Sequence, residues 1–231
     1  MQRPTNKNAD VYNRDIHKTF TYNSIDMLTI DISYPQIRLN QNLTAQKHMN
    51  TYYQQQVNQF YEYASIDLRQ AALESYQYRL MNNFPFLKYE AVMKYTVTLN
   101  ANCLLSTYFD QYEFTGGAHG NTVRSSSNWT LKDGYIISMK DLFHNHQDYK
   151  QLIINQIRSL ADQQIQQNPT IYFSTYQELI IQNFNPENFY LIPDGIAVYY
   201  QQYEIGPYAS GIIVFDIPYQ KLGITSPGCL P

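Results

Sequence analysis

Residues 87–99 read LKYEAVMKYTVTL, and this stretch decides the fold class. Apolar side chains occupy every second position from Leu87 to Leu99, and lysine, glutamate or threonine fills most positions between them. A period of two is typical of a β-strand with one buried face. Asparagines within residues 100–102 tolerate the left-handed backbone of a tight turn, and residues 104–114 supply the next strand. We therefore predict a β-hairpin here.

Helices and further strands surround this hairpin. Residues 44–81 carry apolar side chains every three or four positions, which predicts a long amphipathic helix, and residues 26–34 alternate as a strand. The second half contains two predicted helices and three predicted strands, at 149–165, 174–184, 189–192, 196–203 and 211–217. Runs of strands separated by single helices indicate the α+β class. We expect antiparallel sheets, with a long helix in the first half and one or two helices packed on the sheet in the second half.

We divide the chain into four segments. Residues 1–20 are polar and are predicted to form a linker, and residues 225–231 a tail. Between them we expect a strand–helix–strand half over residues 21–115 and a second half over residues 116–224. Cys103 and Cys229 lack the spacing of a metal or redox site and permit one disulfide. We predict no disulfide, because Cys103 looks like a buried strand residue and Cys229 part of a loose tail.

Composition excludes several classes of function. The net charge is −3 and only 15% of residues are charged, without a large basic cluster, so we expect no nucleic acid partner. No stretch approaches 18 consecutive apolar residues, so we expect no membrane span within this sequence. The 23 tyrosines suit either the edge of a core or a binding surface for proteins or sugars, since each ring joins an apolar face to one hydroxyl.

Signatures of common catalytic sites are missing, and we predict no catalytic residue, metal site or cofactor. His119 lies between glycines, which suggests a catalytic base or a metal ligand. No second ligand follows at metal spacing, and His144 and His146 are two residues apart. We favour a turn, in which Gly116, Gly117 and Gly120 permit positive φ.

Acidic residues give a weaker hypothesis of catalysis. Glu113, Glu204 and Asp216 are the candidates for a catalytic carboxylate pair. Sequence spacing alone does not bring them together, and solvated or hydrogen-bonded acids are the favoured interpretation.

Residues 202–211 read QYEIGPYASG and form the predicted binding loop. Gly206 and Pro207 are expected to fix a structural turn, so that Tyr203 and Tyr208 can face outwards. The candidate ligand-binding residues are His119, Tyr203, Glu204 and Tyr208. The alternative is that Glu204 caps a backbone turn while the two tyrosines close the core.

Three segments together resemble a known family. They are GGAHGN at 116–121, residues 131–143 with DG at 133–134 and DLF at 141–143, and the loop at 202–211. Their order and spacing resemble the RsiV-like family, which comprises the extracytoplasmic region of the anti-sigma factor RsiV and the N-terminal region of the peptidoglycan deacetylase PdaC. The resemblance covers most of residues 21–224.

The resemblance implies a non-catalytic extracytoplasmic binding or sensor domain of a Gram-positive bacterium, secreted or anchored through a segment outside this sequence. Because the RsiV region binds lysozyme, the implied partner is lysozyme or another cell-wall-active protein. The alternative is a module that binds peptidoglycan and assists a cell-wall enzyme. The sequence departs from RsiV in lacking its sigma-binding segment and from PdaC in lacking its deacetylase domain.

Overall fold

The computed structural model describes residues 7–143 and 148–229. Its first half forms a mixed five-stranded sheet in the order β1-β2-β3-β4-β5. The strands are β1 Asp10–Tyr22, β2 Ile25–Arg38, β3 Tyr89–Ala101, β4 Leu104–Phe114 and β5 Asn121–Thr130. The predicted hairpin is confirmed as the antiparallel β3–β4 pair.

A long helix packs across this sheet. Helix α1 spans Leu43–Tyr63 and continues through a π-helical segment at Ala64–Leu68 into α2, Arg69–Met81. The predicted helix over residues 44–81 is confirmed. One stripe of α1 is buried against the sheet, namely Ala45, Met49, Tyr53, Val57 and Phe60. The α1 N-terminus is capped by the Asn42 side chain, which accepts a hydrogen bond from Ala45 N at 3.0 Å.

The second half forms its own core. A 3₁₀ turn at Met139–Phe143 precedes α3, Tyr149–Gln167, and α4, Tyr176–Gln182. An antiparallel sheet follows, in the order β6-β7-β8, with β6 Phe189–Ile192, β7 Gly195–Tyr200 and β8 Ile213–Pro218. The buried stripe of α3 consists of Ile153, Ile154, Ile157 and Ala161. The α+β class is therefore confirmed.

Two predictions about the first sheet are wrong. Residues 10–20 are not linker, because they lie in β1, which pairs with β2 along its whole length. The sheets are not purely antiparallel, because β2 and β3 run parallel from Leu28 opposite Tyr89 to Ile32 opposite Met93. The long helix provides the crossover that a parallel pair requires. Strand β5 completes this sheet although it lies beyond residue 116, and the division there stays a prediction.

The prediction that the cysteines stay unpaired is also wrong. Cys103 and Cys229 form a disulfide with their Cα atoms 5.1 Å apart. Asn102 (φ 53°) and Cys103 (φ 64°) occupy the β3–β4 turn, so Cys103 is a turn residue rather than a strand residue. Cys103 N also donates to Lys7 O at 2.9 Å. The same turn thus contacts both ends of the described chain.

Side-chain amides bind the backbone groups of Ala9, which precedes β1, and of Ile37, which lies in β2 beyond its pairing with β3. Asn100 accepts from Ala9 N and donates to Ala9 O, both at 2.8 Å. Asn50 of α1 does the same for Ile37, at 2.7 and 2.8 Å. A carboxamide has an N–H donor group and a carbonyl acceptor side by side, as a peptide group does. These residues therefore satisfy the strand as a neighbouring strand would.

A buried polar network joins the two sheets. Leu191 N of β6 donates to Asn128 Oδ1 at 2.9 Å and to Ser106 Oγ at 3.0 Å. Thr98 Oγ1 donates to Leu191 O at 2.8 Å, and Asn128 Nδ2 donates to Phe189 O at 3.2 Å. Side chains of β3, β4 and β5 thus cover the outer edge of β6. Because these bonds lie in the interior, losing one leaves a buried polar group without a partner.

Candidate functional site

Two loops meet at one end of the molecule and bring three candidate residues together. His119 belongs to the β4–β5 loop, and Tyr203 and Tyr208 belong to the β7–β8 loop. The His119 ring stacks on the Tyr208 ring with a centroid separation of 3.7 Å and an interplanar angle of 17°. Tyr203 Oη lies 3.4 Å from His119 Nε2, and its ring centroid is 5.9 Å from that of Tyr208. We call these three residues the aromatic cluster.

Glutamines fix the β7–β8 loop against the edge of the first sheet. Gln201 Oε1 accepts from Arg124 N at 2.9 Å, and Gln201 Nε2 donates to Arg124 O at 2.7 Å. Gln202 Oε1 accepts from Thr122 N at 2.7 Å. The sequence interpretation missed both glutamines. The feature of the sequence that could have identified them is a pair of adjacent carboxamide side chains directly after a strand, at the start of the loop.

The Arg124 side chain is itself held by side chains of the neighbouring strand β4. Its guanidinium makes two hydrogen bonds of 2.7 Å to the Asp110 carboxylate and lies 3.8 Å from the Tyr108 ring centroid. Bidentate pairing and stacking on an aromatic face hold a guanidinium in one orientation. Strand β5, to which the two glutamines bind, is therefore itself held in place.

Tyr203 has a backbone conformation that is rare for a residue with a side chain. Its φ is 67°, and 51% of the residue is exposed. A left-handed conformation costs about 1–2 kcal/mol outside glycine, so the surrounding bonds must impose it. In this conformation the Tyr203 ring lies at the surface and not in the core.

Glu204 points away from the cluster. Its Oε2 accepts a hydrogen bond from Gln201 N at 2.7 Å, and its main-chain oxygen accepts one from Asn183 Nδ2 at 2.7 Å. Burial raises the pKa of the Glu204 carboxyl above its ordinary value, and the bond from Gln201 opposes that rise. These bonds correspond to the alternative interpretation, in which Glu204 caps the turn.

The glycines of the β4–β5 loop differ in backbone conformation and in the space around them. Gly116 has positive φ, at 77°, whereas Gly117 and Gly120 do not, so the expectation of positive φ is wrong for those two. Gly120 is required for space, because a Cβ there would lie 2.3 Å from Tyr112 Cε2 and 2.4 Å from Glu113 O. A Cβ on Gly117 would meet only a carbonyl oxygen at 3.8 Å.

Gly206 and Pro207 shape the other loop. Gly206 is buried, and a Cβ there would lie 2.4 Å from Ile171 O. Pro207 is extended, with φ −68° and ψ 164°, and precedes a 3₁₀ turn at Tyr208–Ser210. Close packing at Gly206 and the fixed φ of proline together set the position from which the Tyr208 ring reaches His119.

The His119 imidazole contacts a main-chain oxygen and a tyrosine hydroxyl. His119 Nδ1 lies 3.2 Å from Gly120 O, so the tautomer with a proton on Nδ1 satisfies that contact and lets Nε2 accept from Tyr203. No carboxylate contacts this imidazole among the described residues. The Glu113 carboxylate accepts from Tyr63 Oη at 3.2 Å, and burial raises its pKa. Asp216 is exposed on β8.

Residues 7–143 and 148–229 contain no group of three histidine, cysteine or acidic side chains that could hold a metal ion. His144 and His146 lie outside the described residues. In the same part of the chain, no helix is both long enough and apolar enough to span a bilayer.

The two sheets, the long helix and the shared polar network define a class of α+β domain built from two packed halves. Residues 22–122 match the family described as Deacetylase PdaC, and residues 140–220 match the protein family of unknown function DUF3298. The predicted RsiV-like domain with a PdaC N-terminal segment is supported by these two matches together. The matched segments are not a catalytic deacetylase domain.

Solved structures share the whole fold. A DUF3298 family member from Bacteroides fragilis NCTC 9343 is 22% identical, with a TM-score of 0.67, and the match covers 96% of each chain. A DUF3298 family protein from Pseudomonas aeruginosa PAO1 is 18% identical, with a TM-score of 0.59, over 97% of this chain and 95% of its own. No curated protein matches the sequence.

The two family matches and the Cys103–Cys229 disulfide suggest an extracytoplasmic domain, because disulfides persist in oxidising compartments. The Gram-positive origin stays a prediction.

Proposed function

We propose that this chain is a non-catalytic extracytoplasmic domain that binds a protein partner through the aromatic cluster. The observation that carries the proposal is the stacked pair of His119 and Tyr208 beside a half-exposed Tyr203, held in place by a hydrogen-bonded loop. Tyrosine is enriched among residues that dominate interface energies, since its ring contributes large contact area and its hydroxyl one polar contact. A surface fixed before binding loses little entropy on association.

The surface next to the β4–β5 loop supports this proposal. Leu87 is 41% exposed, and its Cβ lies 3.6 Å from the position a Cβ would take on Gly116. Phe84, in the same connection between α2 and β3, is 56% exposed. Arg79 of α2 donates to Gly116 O at 3.0 Å and to Pro85 O at 2.9 Å, which ties this connection to the loop. Apolar side chains near an aromatic cluster are typical of an interaction site.

Lysozyme or another cell-wall-active protein is the partner that the family resemblance suggests. Isothermal titration calorimetry of the purified chain with c-type lysozyme should show saturable binding. Tyr203→Ala should weaken that binding by about 30-fold, the equivalent of roughly 2 kcal/mol for a central interface tyrosine. Tyr12→Ala is the matched control, because Tyr12 is 48% exposed but lies on β1.

Two results would count against the proposal. No heat at high micromolar lysozyme removes lysozyme as the partner, and unchanged binding by Tyr203→Ala removes the aromatic cluster as the site. Peptidoglycan binding is the second candidate, because exposed ring faces also stack on sugars. In a pull-down on purified peptidoglycan, a strict protein binder stays in the supernatant.

A further inference from the structure

Strand β1 forms one edge of the first sheet, and its outer side is open. It spans Asp10–Tyr22 and pairs with β2 alone. Within residues 7–143 and 148–229, no group outside β1 and β2 hydrogen-bonds to the main chain of residues 10–22. None of the 13 residues is buried. Along an edge strand about half of the main-chain N–H and C=O groups point away from the neighbouring strand, so β1 presents a row of unpaired donors and acceptors.

The other edges of the two sheets are covered or short. Gln201 and Gln202 bind the edge of β5, and side chains of the first sheet bind the edge of β6. Strand β8 has six residues and ends in Pro218, and both features oppose further pairing. Strand β1 is 13 residues long and has neither proline nor glycine, so it lacks these protections. The extra residue at its one register shift is Met27 of β2, so β1 itself stays regular.

The charges of β1 allow two copies of the strand to approach each other. Asp10 and Asp15 balance Arg14 and Lys18, so the strand is formally neutral although the whole chain carries −3. Edge strands that avoid association are often rich in lysine, because like charges then meet across any new pair. Strand β1 carries both signs, so a second copy is not repelled.

The exposed aromatic side chains of β1 are placed symmetrically. Tyr12 is 48% exposed and Tyr22 is 42% exposed, and they lie five positions before and after His17. An even separation along a strand places both rings on one face. When two copies of β1 pair antiparallel about His17, Tyr12 of each copy lies opposite Tyr22 of the other, and Arg14 lies opposite Phe20. Aromatic pairs and a cation beside a ring both stabilise neighbouring strands.

We propose that two copies of this chain form a symmetric dimer through β1, in which the two first sheets join into one continuous sheet. The register about His17 places no two like charges opposite each other when histidine is neutral. An unrelated extended segment could use the same main-chain groups, since strand addition depends on main-chain hydrogen bonds. The second copy is favoured because it matches β1 in length, in charge and in the position of its aromatic rings.

Analytical ultracentrifugation of the whole chain, combined with amide hydrogen exchange, tests this proposal. The weight-average mass should rise from that of one chain towards twice that value as the concentration increases. Over the same range, the main-chain amides of residues 10–22 should exchange more slowly, because the outward N–H groups gain partners. The amides of β8, a short edge strand of the other sheet, are the control and should exchange at an unchanged rate.

Charge reversal on β1 tests whether this strand is the interface. Asp10→Lys with Thr21→Lys makes β1 basic, and Arg14→Glu with Lys18→Glu makes it acidic. Each variant alone should dimerise at least about tenfold more weakly at low salt. An equimolar mixture should restore the dimer, because opposite charges then face each other in any register. All four positions are exposed, and an unchanged melting temperature establishes that each variant folds.

Several results would overturn the proposal: a constant mass of one chain up to high micromolar concentration, a dimer that leaves exchange in residues 10–22 unchanged, or a mixture of the two charge variants that stays monomeric. Strands β1 and β5 are opposite edges of the first sheet, and the aromatic cluster lies beside β5. Tyr203→Ala should therefore keep the dimer, and Tyr12→Ala should weaken the dimer without changing the affinity for lysozyme. Either proposal can thus fail while the other stands.

Discussion

Replacing Cys103 and Cys229 by serine removes the covalent link between the β3–β4 turn and the last described residues. The cysteines are 126 residues apart in sequence, and closing a loop of that length in the unfolded chain corresponds to about 5 kcal/mol at 25 °C. Measured effects are usually nearer 2–4 kcal/mol, because unfolded chains keep some structure. For a domain of this size, a loss in that range lowers the melting temperature by about 5–10 °C.

Differential scanning calorimetry with and without a phosphine reductant measures this effect. The reductant should lower the melting temperature of the native chain to that of the double serine variant, and it should leave the variant unchanged. The reasoning would be refuted by two titratable thiols in unreduced, denatured protein, or by a melting temperature that the double substitution leaves within about 1 °C.

Three other changes test the interior. Asn128→Asp should lower the free energy of unfolding, measured in urea, by about 2–4 kcal/mol, because a buried carboxylate cannot donate to the β6 carbonyl. The control Asn58→Asp, at an exposed position, should lower it little, and equal effects of the two changes would contradict the network. Gly120→Ala should cost about 1–3 kcal/mol by overpacking, against under about 0.5 for Gly117→Ala, and a reversed order would exclude the steric explanation. Burial raises the pKa of Tyr53 to about 12 from near 10 in the unfolded chain. The stability that neutral Tyr53 contributes is complete below pH 10 and falls by about 1.4 kcal/mol by about pH 11, because the unfolded chain ionises first. Circular dichroism should therefore be lost as tyrosinate absorbance appears, and full ionisation near pH 10 in folded protein would disprove this.

Periodicity predicted the elements whose faces differ most in burial. Strand β3 and helix α1 each place one apolar face on the core, so their patterns are clear in the sequence. Strand β1 is an edge strand in which only Val11, Ile16, Thr19 and Phe20 are partly buried, and charged side chains fill much of the remainder. Such a strand is stabilised by its pairing with β2 rather than by its own burial, which no local pattern reveals.

The direction of a strand and the pairing of the two cysteines depend on how separate elements are arranged in space, not on a local sequence pattern. The parallel alignment of β2 and β3 had a usable signal, because a strand, a long helix and a second strand form a right-handed crossover unit. The disulfide depended on the exact position of a turn. The turn was expected at residues 100–102, but the left-handed residues are Asn102 and Cys103, which places Cys103 at the tip of the hairpin.

The aromatic cluster could be assembled from the sequence only by motif resemblance. His119 and Tyr203 are separated by 84 residues, and nothing in their local patterns specifies that they meet. Their contact depends on Gln201 and Gln202 binding the edge of β5, a side-chain-to-backbone interaction without a periodic signature. The inward orientation of Glu204 has the same origin, since it follows from the path of the loop.

The β3–β4 turn also holds residues from both ends of the described chain at one place. Lys7 O accepts from Cys103 N, and Cys229 is bonded to Cys103, so the two ends emerge at the same corner. Domains with adjacent ends tolerate circular permutation and insertion into a host protein, since neither end has to cross the surface to continue. An engineered insertion of residues 7–229 into a loop of a host protein should therefore keep the fold, because both joints lie at one corner.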